Sequence, residues 1–305
     1  MDVFFNRKFG EPITFNVVTD GDHGYTGHII EHRYGQAEPF TVEFNDDPDD
    51  IASVTDAVKS EYSKWCFSDP TMYCLSTHKL YDAICGYANS EVKPEDIPTL
   101  KGIYDKLIRS VAILRAIRNK RYDERKVNER VDKIISWLES TDFYTAPAST
   151  RYHETFEGGL LYHTLSVVAN IIAIGDSMPF AKNVNIEDAV LVALVHDWCK
   201  IGKYQSYQRN VKNEATGQWE KVTAYTYQDS VPYPLGHGVT SAYIANKFFN
   251  LKIEEFAAIE FHMGRWEAGT DYQQNDMQQA NENIPLCYLL QFADQVACTK
   301  YWYKK

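Results

Sequence analysis

The chain has 305 residues, 44% of them hydrophobic and 24% charged, a composition that fits one large globular unit or a catalytic core with an appendage. Asp and Glu outnumber Lys and Arg by 42 to 31, for a net charge of −11 and a pI near 5.3. That balance argues against a protein that coats nucleic acid, which needs a basic face to displace counterions, but it leaves room for a small phosphorylated substrate held by a few local cations.

No apolar run approaches the roughly 18 residues of a membrane-spanning helix. The opening Met1-Asp2-Val3-Phe4-Phe5-Asn6-Arg7 lacks the charged-then-apolar order of a secretion signal, so a cytoplasmic protein is expected. The six cysteines, Cys66, Cys74, Cys85, Cys199, Cys287 and Cys298, are scattered and form no CxxC pair, which reads as reduced thiols. A zinc site on Cys74, His78 and Cys85 is weighed against ordinary buried thiols, and the latter is preferred.

Residues 1–45 carry alternating strand-type runs around Phe4-Phe5, Ile13 to Val18 and Phe40 to Phe44, punctuated by Gly21, Gly24, Gly27 and Gly35. His23, His28 and His32 lie close together there. Their Gly, Tyr and acidic surroundings read as a loop or edge strand with exposed polar groups, in preference to a metal site. Asp46, Asp47, Asp49 and Asp50 form a solvated acidic loop leading into a helix N-terminus. Helices are expected over 51–65, 77–89, 99–119 and 124–139. Residues 1–120 are assigned to an N-terminal appendage of unknown role, mixed in secondary structure.

The character changes near Thr141, where apolar helical segments begin to alternate with short loops. Helices are expected over 159–175, 186–199, 237–249, 253–262 and 284–302. Asn185 and Asn283 are read as N-caps, and Gly202 as the end of the 186–199 helix. Between Gln205 and Asp229, two strand-like runs flank Asn213-Glu214-Ala215-Thr216-Gly217-Gln218, which predicts a β-hairpin inserted in a helical domain. The final Tyr301-Trp302-Tyr303 is expected to pack back on the core, with an oligomer contact as the alternative.

Six polar groups stand out because each sits on or beside strongly apolar helical sequence. They are His163, His196, Asp197, His237, His262 and Asp294. A single histidine in such a place is usually a satisfied core residue. An aspartate inside Leu289-Leu290-Gln291-Phe292-Ala293-Asp294 is harder to explain, because a buried carboxylate needs a partner. One shared cation satisfies all six. Imidazole and carboxylate ligands suit Mn²⁺, Fe²⁺, Co²⁺, Ni²⁺ or Zn²⁺, one or two ions, and leave positions for water and substrate. Adjacent helical residues point about 100° apart, so His196 and Asp197 can line one pocket and bind differently. Asp197 is the natural bridge if two ions bind. No cysteine joins the expected set.

The order His163, His196-Asp197, His237, His262, Asp294 resembles the HD-domain metal-dependent phosphohydrolase superfamily, in its two-metal branch. His196-Asp197-Trp198-Cys199-Lys200 is similar to that branch's HDxGK signature, with cysteine where glycine is usual. The stretch from Phe143-Tyr144-Thr145-Ala146-Pro147 to Gly158-Gly159-Leu160-Leu161-Tyr162-His163 resembles HD hydrolases carried by bacteriophages. Phage encoding would make the host cytoplasm the location. The likeness covers about residues 125–300, and 121–305 are taken as the hydrolase domain.

The resemblance implies a mainly α-helical HD bundle that hydrolyses phosphate esters or anhydrides with a metal-activated water. Lys200 is a candidate for contacting phosphate or the leaving group, the alternative being a cation favoured at a helix C-terminus. Arg151, Lys203 and Arg265 are further candidate phosphate contacts, and His153 a candidate proton donor to substrate. Tyr204 and the other hairpin rings either stack on a base or pack the hairpin onto the helices. The expected partner is a nucleotide or a short or cyclic oligonucleotide. No long nucleic acid and no membrane are expected, and homo-oligomerisation is left open. Two rival readings accompany this one. Di-iron oxygenases of the superfamily use a similar ligand order, and an HD fold can bind a nucleotide without turnover.

Overall fold

The computed structural model describes residues 2–6, 12–19, 25–31, 36–42, Ile84 and, with short interruptions, 92–299. The helices expected over 51–65 and 77–89 fall almost wholly outside these residues, as do Cys74, His78, Cys85, His23, His32 and the C-terminal aromatics.

The N-terminal strands are β1 (Asp2–Asn6), β2 (Pro12–Thr19), β3 (Tyr25–Glu31) and β4 (Gln36–Val42). They form an antiparallel meander in the order β1-β2-β3-β4. The β3 segment was expected as a loop or an edge strand, because Gly24 and Gly27 read as turn punctuation. Gly27 instead pairs with Val17 and Phe40. His28 therefore lies on an interior strand and not on an edge. Pro39 falls on the edge strand β4, where a missing N–H is tolerated.

The described part of the remainder is mainly helical, as expected of an HD-type bundle. It contains α1 (Ile97–Arg118), α2 (Glu124–Glu139), α3 (Gly159–Ser177), α4 (Ile186–Val195), α5 (His237–Phe249), α6 (Ile253–Glu260), α7 (Asp271–Asn283) and α8 (Pro285–Ala297). The hairpin of β5 (Tyr204–Lys212) and β6 (Trp219–Tyr227) interrupts them where the turn signal placed it.

Helix α4 is the centre of the bundle. All ten of its residues are buried, and it packs against α1, α3, α5, α6 and α8. Val190, Val192 and Val195 are poor intrinsic helix formers, so burial rather than propensity holds this segment helical. Each such side chain contributes on the order of 1.5–3 kcal/mol by leaving water. A buried ion network ties α4 to its neighbours. Arg115 of α1 binds Asp188 at 2.6 Å and pairs with Glu255 of α6, while Lys252 reaches Asp188 at 2.6 Å.

Several sequence-based expectations need correction. Helix α4 stops at Val195; His196 keeps helical angles, and Trp198–Lys200 forms a separate 3₁₀ turn. Asn185 is the N-cap residue of α4 as expected, but its side chain makes no capping bond to the backbone, and its amide donates to Asp188 Oδ2 instead. Asn283 is the last residue of α7, not a cap of the next helix, and donates to the Gln279 carbonyl. Helix α7 itself was missed. It is rich in Asn and Gln and buries only Met277 and Ala280, so it has no apolar stripe to detect. Its Thr270 cap, whose hydroxyl accepts from Gln273 N, was the available signal. No helix among the described residues is long and apolar enough to cross a membrane.

Candidate metal centre

The six singled-out groups converge from five elements. His163 lies in the second turn of α3, whose start is pinned by two glycines. Gly158 adopts φ +80°, and a Cβ on Gly159 would come within 2.0 Å of the Glu154 carbonyl oxygen. His196 and Asp197 follow the end of α4. There the backbone of Asp197 leaves the helix at φ −108°, ψ 15°. This turn is anchored by the fully buried Trp198, whose Nε1 donates to the Tyr104 hydroxyl at 3.0 Å. Tyr104 in turn donates to the Leu194 carbonyl at 2.9 Å, satisfying one of the acceptors left open at the helix end.

His237 opens α5 and His262 follows the end of α6. Gly238 brings them together, because a Cβ there would lie 2.1 Å from the Glu260 carbonyl oxygen. The two rings sit 5.2 Å apart. Asp294 comes from α8, which is tied to the same corner by Gln291 Nε2 donating to the Phe261 carbonyl at 2.9 Å.

Asp197 is the hub, with its two oxygens facing different histidines. Oδ2 lies 3.5 Å from His163 Nε2 and 3.4 Å from His196 Nε2, while Oδ1 lies 2.7 Å from His237 Nε2 and 3.8 Å from His262 Nε2. Asp294 Oδ1 is 3.0 Å from His163 Nε2 and 3.9 Å from His196 Nε2. Ligands about 2.0–2.2 Å from a common ion stand roughly 3–3.5 Å from each other, close to most of these separations. Four groups among the described residues could hold a metal ion, two of them without cysteine, His163 with His196 and Asp294, and His196 with Asp197 and His262.

The tautomers agree with that use. His196 Nδ1 donates to the Ala193 carbonyl at 2.7 Å and His262 Nδ1 to the Ile259 carbonyl at 2.6 Å, which leaves each Nε2 with a lone pair. Both Nε2 atoms are buried without a hydrogen-bond partner. An orphaned buried polar atom costs about 1–3 kcal/mol, and a cation between them removes that cost. The residues present therefore fit a divalent ion.

Charge is strongly coupled here. Burial opposes ionisation of Asp197 and Asp294, but Lys200 and His196 around the first and His163 around the second hold both carboxyls well below the usual range. Burial disfavours charge on His196, yet Asp197 and Asp294 prevail and raise its pKa. Burial dominates at His237 despite Asp197, lowering it to about 4.

The substrate candidates divide. Lys200 is buried with Nζ 2.6 Å from Asp197 Oδ2, so it reaches the hub directly. The His153 ring lies 4.8 Å from that of His163, tilted to it, and burial, then His163 and Lys200, lower its pKa to about 3. Tyr204 is buried and packs on Tyr227 at 5.4 Å. Lys203 extends over the Tyr227 ring. A cleft of about 690 Å³ lies between the hairpin and the 150–155 loop, with Arg151 on one side and Tyr207, Arg209, Tyr225 and Tyr227 on the other. Arg265 is exposed and does not line this cleft.

Three neighbours escaped the sequence reading. Glu154 places its carboxylate beside His153 and His163. Two cysteines also stand near the cluster, against expectation. Cys298 groups with His153 and His163, and Cys199 with Asp197 and His237. Burial, then Asp197, pushes the Cys199 thiol up to about 12, and burial, then Asp294, raises that of Cys298, so both are thiols as the structure stands.

A bundle of buried helices gathers imidazoles and carboxylates around orphaned nitrogens, in groups that could hold a metal ion. The family model for the HD domain matches residues 160–298, which span all six groups, and supports placing this segment in the HD superfamily. HD domains point in general to metal-dependent phosphohydrolase activity. No curated protein and no solved structure matched the chain.

Proposed function

We propose that this protein is a phosphodiesterase or related phosphohydrolase that cleaves a nucleotide or a short or cyclic oligonucleotide in the cytoplasm. The observation that carries the reading is the two-faced environment of Asp197, with His163 and His196 on Oδ2 and His237 and His262 on Oδ1. It favours a binuclear site with Asp197 shared, Asp294 completing one side, and Mn, Fe, Co, Ni or Zn as the metal. Such ions, when bound, supply Lewis acidity and lower the pKa of water toward neutrality.

The chain's own residues do the rest. Lys200 sits at the hub as a fixed cation for a phosphoryl oxygen. Arg151 and Arg209 give the cleft local positive charge in an acidic protein, and its tyrosines offer ring faces to a base. Lys203, over the Tyr227 ring that borders the cleft, is a further cation for phosphate, Arg265 has no observation of its own behind such a role, and Tyr204 packs on Tyr227. Neutral His153 lies beside the ligands as a hydrogen-bonding group for substrate.

The test is a mass-spectrometric screen of Mn²⁺-, Fe²⁺- and Co²⁺-loaded protein against nucleotides, cyclic nucleotides and short oligonucleotides, with Asp197→Ala alongside. Turnover that disappears in the variant is the expected result. Metal-loaded protein that hydrolyses nothing would refute the proposal. In that case, oxygen uptake by the iron form would identify an oxygenase, and tight binding without product a nucleotide-binding protein.

A further inference from the structure

The histidines of the cluster are not equivalent at their outer nitrogens. His196 and His262 each give Nδ1–H to a main-chain carbonyl three residues back, at 2.7 Å and 2.6 Å. His163 has no such carbonyl. Its Nε2 points at Asp294 and Asp197, so a proton must reside on Nδ1 whenever Nε2 binds a metal. That Nδ1 is buried and has no hydrogen-bond partner.

The polar group aimed at it is Glu154 Oε2, 3.8 Å away, itself buried and without a hydrogen-bond partner. The same oxygen is 3.9 Å from His153 Nε2, which shares that condition. The backbone of Glu154 is held firmly. Its carbonyl accepts from Ala148 N at 3.0 Å and packs against the bare Cα of Gly159. Glu154 also adopts φ +42°, a left-handed conformation costly for a residue with this side chain. A strained residue that buries a carboxylate beside an unsatisfied imidazole N–H has the geometry of a carboxylate–histidine–metal relay, in which the carboxylate fixes the ring and its tautomer. A rotation of the carboxylate by about 1 Å closes the hydrogen bond.

We propose that Glu154 is the positioning residue for His163, accepting its Nδ1–H and orienting Nε2 toward the metal. Nothing in the HD match bears on it, because Glu154 lies before the matched residues 160–298. The inference rests on the metal-binding reading above.

The test uses the full chain and Co²⁺ as probe, comparing wild type with Glu154→Leu and Glu154→Gln. Co²⁺ affinity is read by calorimetry, coordination by the visible d–d bands, and fold by melting of the metal-free proteins. The expected result is a 10–100-fold loss of affinity for Glu154→Leu, a smaller loss for Glu154→Gln, which keeps a neutral acceptor, and unchanged metal-free melting. Unchanged affinity in Glu154→Leu would overturn the proposal. So would a change in band position and intensity showing a lost ligand, since Glu154 would then be bound to the metal itself. So would a fall in metal-free melting with affinity per folded molecule preserved. Wild type that fails to bind Co²⁺ would instead refute the metal-binding reading.

Discussion

Replacing Arg115 with methionine keeps most of the side-chain volume and removes the charge that faces Asp188 and Glu255. Asp188 retains Lys252 at 2.6 Å and the Asn185 amide at 3.0 Å. Glu255 is the more exposed to the loss in energetic terms. It is 1% solvent-accessible and keeps the Lys252 N–H at 2.8 Å. Removing one partner of a buried pair typically costs about 3–5 kcal/mol, because the remaining charge stays desolvated. At roughly 2–4 °C per kcal/mol for a unit of this size, the melting temperature should fall by about 6–20 °C. Burial raises the Glu255 pKa even with Arg115 beside it, and without Arg115 its neutral form is favoured further. Protonation removes the buried charge, so the deficit should be larger at pH 8 than at pH 5. Calorimetry or denaturant melts at the two pH values measure this. A fall of equal size at both would show that lost packing, not a stranded carboxylate, is responsible, and a fall under about 2 °C would refute the reasoning altogether.

Two further outcomes are expected. Gly238→Ala places a methyl group 2.1 Å from the Glu260 carbonyl oxygen, so α5 must move off α6. Metal affinity should drop at least 10-fold, read by calorimetry, because His237 and His262 separate. For the metal-free protein, His153 and His237 have folded pKa values of about 3 and about 4, below the roughly 6.5 of the unfolded chain. As pH falls from about 6.5 to 4, the unfolded state takes up protons the folded state refuses, so stability falls, by up to about 1.4 kcal/mol per pH unit for each group. His196, whose folded pKa is raised, contributes the opposite slope only above about 6.5. Urea melts across this range should show the decline, and a flat profile would contradict it.

Much of the helical part of the bundle was legible in the sequence. Helices α2 and α5 have the bounds expected of them, 124–139 and 237–249, and the hairpin lies where Asn213 to Gln218 signalled a turn. The metal-ligand candidates were legible for one reason: His and Asp are conspicuous on segments otherwise too apolar to carry them. Where such a contrast was missing, reading failed. Helix α7 is polar nearly throughout, and β3 contains the glycine that elsewhere marks a turn.

Glu154 illustrates the limit most plainly. It stands among Arg151, Tyr152, His153 and Thr155, a stretch with no apolar frame to make a carboxylate look out of place. In the folded chain the Ala148 N–H and the bare Cα of Gly159 hold its carbonyl, and its carboxylate faces His163. By itself the sequence determined which segments are apolar enough to be buried and which polar groups they carry inside, because that depends on composition and spacing along the chain. Only the tertiary structure decided which oxygen of Asp197 faces which histidine, which imidazole nitrogen is left for a metal, and which neighbour can hold the other. Those are distances between atoms of segments far apart in sequence, and close packing of the helices sets them.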